Sequence, residues 1–213
     1  VDLRDREARI KEAIRRQPSP TRRQVSGREA ALLVLGCLPP LGCFIAVGGT
    51  FLGPREQSLL VATVLGEAFI SAVTLSMAAG RGGQMIGRSA PQLLATAIVG
   101  PLAFISWKLV CSAWFHVAPW PAVGYRCLAL TLLFACPPLV AIVVVRRGLD
   151  PLHPASLGAA LGVAVGLCAE VLVDLWCPSG EIRHLLLGHL LPIALLALAG
   201  ALVGQRVLAM RVS

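Results

Sequence analysis

The sequence predicts an all-α polytopic membrane protein, with six transmembrane helices in one antiparallel bundle. Three observations predict it. Hydrophobic residues make up 56% of the 213-residue chain, mean hydropathy is +0.78 and only 14% of residues are charged, more apolar surface than one soluble core can hide. The apolar residues fall into six stretches of about 20 residues, each long enough to cross roughly 30 Å of hydrocarbon at about 1.5 Å per residue. The connectors "GPREQ", "GRGGQMIGRS", "HVAPWPAVGY", "RRGLDPLHP" and "CPSGEIR" are short and rich in Gly, Pro or charge, which leaves no room for a second globular domain.

Residues 1–28 read as a cytoplasmic basic tail, 29–206 as the membrane domain and 207–213 as a second cytoplasmic tail. In "DLRDREARIKEAIRRQ" Asp2 and Asp5 come early and Arg15 and Arg16 late, the order a helix dipole favours, and "PSP" at Pro18 to Pro20 ends the helix. Leu3, Ile10 and Ile14 give it a thin apolar stripe. A helix of about 16 residues is marginal alone in water, so the tail is either a solvated, lipid-hugging segment or one that orders on a cytoplasmic partner. Nothing before the first apolar run resembles a cleavage site, and the first span is expected to act as a retained signal anchor.

The spans are expected near 30–52, 58–79, 91–115, 124–145, 156–176 and 185–204. "CLPPLG" in the first and "ACPPLV" in the fourth place Pro-Pro pairs inside a span, where they should kink the helix. "GAALGVAVG" in the fifth and "LAGALVG" in the sixth permit close helix approach. Fifteen basic residues fall in the tails and alternate connectors, against Arg55, Lys108, Arg126 and Arg183 on the other side or in the membrane beside it. Lys and Arg are retained on the cytoplasmic side, so both termini are expected there. The net charge of +8 is therefore a matter of topology, with tail arginines against lipid headgroups. No nucleic-acid-binding motif is present, and direct nucleic-acid contact is not expected.

Ionisable residues within the spans crowd the outer half. If the fifth span runs outward and ends near Trp176, Glu170 lies about 9 Å and Asp174 about 3 Å below the outer boundary. Glu67, Lys108 and His189 fall at comparable levels, and His184 marks the surface. Each charge facing lipid at mid-helix would cost about 2.5–3.5 kcal/mol, so these groups should face the interior and satisfy one another. Lys108 has Glu67, Glu170 and Asp174 as candidate partners.

Two readings of this cluster stand side by side: an ion-paired network that fixes helix packing, or an outward-facing site that takes up protons, metal or oxidant. Glu170, Asp174 and Cys177, spaced i, i+4 and i+7, line one helical face. Thiol and imidazole suit a borderline or soft divalent ion, so Cys177, His184 and His189 are candidate metal ligands, although their spacing is no recognised zinc motif. No resident cofactor is expected, a regulatory heavy-metal ion being the one candidate ligand. Cys37, Cys43, Cys136 and Cys168 lie within spans and read as packing residues. Cys127 and Cys177 sit at the outer ends of the fourth and fifth spans, where they could pair, bind a soft metal together or report oxidation.

An enzyme is not expected, since no phosphate-binding glycine loop, nucleophile elbow, HExxH or cytoplasmic pair of catalytic carboxylates is present. A small proton or divalent-ion transporter is the alternative, with a path past Glu67, Lys108, Glu170 and His189. A conduit needs polar groups in both halves, and the inner half offers no continuing polar trail.

The basic tail, six short-looped spans, "RRGLDPLHP", and above all "EVLVDLWCPSGEIRHLLLGHLLPIALLALAGALVGQRVL" resemble the NrsF-type bacterial membrane anti-sigma factors. That resemblance implies an inner-membrane protein that holds an extracytoplasmic-function sigma factor through its cytoplasmic tail and releases it under metal or oxidant stress. It further implies two outer-side sensing cysteines, which fall on Cys127 and Cys177. The sigma contact is then expected at Leu3, Arg4, Arg9, Ile10 and Ile14, with the lipid bilayer as the second partner.

Overall fold

The structure is a computed structural model that describes residues 34, 36–46, 57–79, 88–114, 124–146, 153–177 and 180–208. Among these residues the chain is helical throughout, with no strand. The helices are α1 (Gly36–Ala46), α2 (Gln57–Ala79), α3 (Ala90–Trp114), α4 (Tyr125–Val145), α5 (Pro154–Asp174) and α6 (Ile182–Val207). The last five are 21 to 26 residues long and apolar enough to cross a membrane. Of the first expected span, only α1 and Val34 fall within the described residues. The sixth starts three residues earlier and ends three later than the hydrophobic run suggests, because Ile182, Arg183 and His184 already form a helical turn.

Helix α5 is the axle of the bundle. It packs against α2, α3, α4 and α6, and 72% of its span is buried, against 28% for each of α2, α3 and α4. Its sequence explains this: Gly and Ala recur along "PASLGAALGVAVGLCAE", so neighbours approach its backbone from several sides. The closest approach is to α6, where a Cβ on Gly158 would run into the carbonyl of Gly200. The interior beneath the polar groups is filled by Phe104, Val163, Leu167 and Ile193, and on the α4 side by Phe134, Leu161, Ala164 and Leu196.

The outward surfaces invert the pattern of a water-soluble protein. Leu65, Phe69, Ile98, Val140 and Leu198 are exposed, whereas Glu67, Lys108, Glu170, Asp174 and His189 are buried. Such a surface carries no penalty in hydrocarbon, while charge left facing it would. Helix α1 leans on α4: Gly36 meets Pro138 and Ala141 closely, and Phe44 meets Phe134 edge-on at 6.5 Å. The Arg146 guanidinium at the end of α4 donates to the Ala79 carbonyl at the end of α2, satisfying one of that helix's open carbonyls.

After its first three residues α6 departs from α-helical geometry for six residues. Leu185–Leu190 is a π-helical turn, closed by the Leu191 N–H donating to the carbonyl of Leu186, five residues back. Pro192 follows and has no N–H to return to Gly188, so α-register bonding is weakened there. Gly188 lies against Gly124 at the start of α4, and a Cβ on Gly124 would come within 2.7 Å of the Gly188 backbone. The two glycines let the widened turn settle onto the α4 N-terminus.

Candidate functional site

Every in-span ionisable group singled out above lies in the bundle interior at the end where α5 leads into α6. Helix α5 supplies two carboxylates one turn apart, and each takes a different partner. Asp174 accepts a hydrogen bond from the Lys108 ammonium of α3, which also pairs with Glu67 of α2 at 3.4 Å. Lys108 thus ties three helices together inside the protein, with Phe104 one turn below its ammonium at 6.0 Å.

Glu170 turns to the other side. It accepts from the Thr131 hydroxyl at 2.7 Å and lies 2.5 Å from Nδ1 of His189. Thr131 is the contact that sequence reading missed. Its hydroxyl also lies 2.9 Å from the Cys127 carbonyl, one turn back on α4, and only the packing of α4 on α5 selects it from the other hydroxyls in the spans.

Beside this dyad the thiols converge on an imidazole. Nε2 of His184 lies 3.4 Å from Sγ of Cys127 and 3.1 Å from Sγ of Cys177. The ring centroids of His184 and His189 are 5.4 Å apart. One ligand atom from each of Cys127, Cys177, His184 and His189 fits within 4.8 Å of the other three, and all four residues are buried.

Cys127 stands in the first turn of α4. Cys177 lies just past the end of α5, held by its N–H donating to the Val173 carbonyl at 2.8 Å. The Arg126 guanidinium over the Trp176 ring at 4.9 Å clamps the two cysteine-bearing segments together. The Cys177 thiol is held well below the ordinary thiol range: a hydrogen bond from Cys127 is the main cause, opposed by burial and assisted by His184 and His189. Both cysteines are free, not joined in a disulfide.

Three expectations need adjustment. His184, expected at the level of the outer surface, is not open to it but 4% exposed, in the helical turn that begins α6. Glu170 does not pair with Lys108, since it points toward α4 and α6 while Asp174 faces α3. The expected triad of metal-binding residues is joined by Cys127, which completes a set of four.

The inner half does carry buried polar groups, against the expectation of no continuing polar trail. Below Glu67 the interior receives the hydroxyls of Ser71, Thr74 and Thr96, of which Thr74 and Thr96 donate to the carbonyls of Ile70 and Gln92 in their own helices. The tail residues Leu3, Arg4, Arg9, Ile10 and Ile14 lie outside the described residues.

Neither a curated protein nor a solved structure matches this chain. A family model does, over residues 15–209, which takes in all the described helices and the whole polar end of the bundle. By that match the chain belongs to the NrsF family, negative regulators of sigma F.

Proposed function

We propose that the protein is a membrane-embedded anti-sigma factor of the bacterial inner membrane, with both termini cytoplasmic. It holds an extracytoplasmic-function sigma factor through Leu3, Arg4, Arg9, Ile10 and Ile14 and releases it when Cys127 and Cys177 receive a metal or oxidant signal. The observation that carries this reading is the convergence of both thiols on His184. The two cysteines come from different elements, so a change in their chemistry alters how α4, the α5–α6 turn and α6 sit together. That is what a signal needs in order to favour one bundle state over another.

The test is capture and release. The full-length protein, extracted in detergent from its own cell, should bring a sigma factor with it, and a chain lacking residues 1–14 should not. Capture that survives this deletion would remove the tail from the proposal. Cys127→Ser with Cys177→Ser should keep repression intact while blunting induction by cadmium or oxidant.

A second reading, a proton or divalent-ion conduit, draws on the buried Ser71, Thr74 and Thr96 below Glu67. It expects flux into liposomes that disappears in Glu170→Gln, whereas the anti-sigma reading expects none in either protein.

A further inference from the structure

We propose that Cys127, Cys177, His184 and His189 form a closed, four-coordinate site for a thiophilic divalent cation of the zinc or cadmium type, with Glu170 and Thr131 as its outer shell. This deepens the reading of the cluster as the signal-receiving site and rests on it for regulatory meaning, though not for binding itself.

The geometry is close to what such an ion requires. With metal–sulfur bonds of about 2.3 Å and metal–nitrogen bonds of about 2.0–2.1 Å, tetrahedral ligand atoms sit roughly 3.3–3.8 Å from one another. Here His184 Nε2 is 3.1 and 3.4 Å from the two sulfurs, and the whole set fits within 4.8 Å. Contraction of about an ångström at the widest pair completes the tetrahedron.

His189 shows how the site is prepared. Its Nδ1 is engaged by the Glu170 carboxylate, an acceptor, so the proton belongs on Nδ1 and the lone pair on Nε2. That Nε2 atom is buried on the Cys177 side of the ring, with no hydrogen bond of ordinary geometry to satisfy it. A carboxylate behind a histidine, leaving the far nitrogen as an unsatisfied electron-pair donor, is the usual outer-shell arrangement of a metal-bound imidazole. Thr131 in turn holds Glu170.

The π-helical turn belongs to the site. Five residues of α-helix would place His189 roughly 140° around the axis from His184. The i to i+5 bonding of Leu185–Leu190 turns the chain through a smaller angle per residue and so reduces that offset, and the two rings come within 5.4 Å of each other. The charge balance is also suitable. Two cysteines coordinating as thiolates match the charge of a divalent ion, so the loaded four-ligand set carries no net charge into a buried layer. Four protein ligands leave no open position, which fits retention of an ion rather than turnover.

The experiment is metal titration of the reduced full-length protein in detergent, with cadmium read by its thiolate charge-transfer absorption and cobalt by its visible bands. One cadmium per chain and a tetrahedral cobalt spectrum are expected. Glu170→Gln should weaken cadmium binding about 10–100-fold, the usual effect of losing an outer-shell partner. His184→Gln with His189→Gln should weaken it further, and loss of both thiols should abolish it.

X-ray absorption of the zinc-loaded wild-type protein needs no variant to fold, and should show two sulfurs at about 2.3 Å and two nitrogens at about 2.0–2.1 Å. A two-sulfur site without nitrogen, an octahedral cobalt spectrum, or cadmium affinity indifferent to both histidines would overturn the proposal. Because no sigma factor enters these measurements, a protein that captures sigma but fails them sinks the metal site alone. One that passes but captures no sigma sinks the regulatory reading alone.

Discussion

At the residue scale, Lys108 carries the largest single stake in the interior. Its ammonium is shared by Asp174 and Glu67, all three being inside the protein. Replacing it by Met leaves two buried carboxylates without their cation, and breaking a buried pair from one side costs about 3–5 kcal/mol. Lys108→Met should therefore lower the melting temperature of the detergent-solubilised protein sharply, and adding Glu67→Gln and Asp174→Asn should restore much of the loss. Equal melting of the single and triple variants would show that the network's charge does not matter. Thr131→Val removes one donor to Glu170 and should cost about 1–3 kcal/mol, because a buried acceptor loses its partner.

At the element scale, α5 and α6 meet backbone to backbone, and the glycines there have no spare volume. A Cβ at Gly158 would collide with the Gly200 carbonyl, so Gly158→Val must push the helices apart and should destabilise by about 1–3 kcal/mol or more. Gly42, on α1, has nothing within 4 Å of where a Cβ would stand, and Gly42→Ala should leave thermal stability unchanged or slightly raised. Comparing the two melting curves separates close approach from the general effect of losing a glycine. The same steric logic applies where Gly124 meets Gly188. Gly124→Ala should disturb the π-helical turn and with it the spacing of His184 and His189, read as weaker cadmium binding.

At the scale of the whole molecule, the apolar spans and the approximate ends of five helices could be read from the chain, because span length and flanking residues are properties of one segment at a time. The crowding of ionisable groups into one half was equally legible, since rise per residue converts position into depth. Lys108 thus fell level with three candidate partners, Glu67, Glu170 and Asp174, before any packing was known. The division of the cluster into two networks was not. Choosing between Asp174 and Glu170 as the lysine's partner depends on how α5 is rotated relative to α3, α4 and α6, and a lipid-facing span with apolar residues all round carries little periodic signal to fix that rotation.

What the sequence determined by itself is therefore the set of spans, the layer of polar residues and the two thiols near its rim, each encoded within a stretch of about 20 residues. The tertiary structure decided that Cys127 joins Cys177 and both histidines, that Thr131 and Glu170 stand behind His189, and that one turn of α6 widens to bring His184 alongside it. The physical reason is that these contacts join different helices, whose offset and rotation are set by backbone-close glycine packing, which no single span contains.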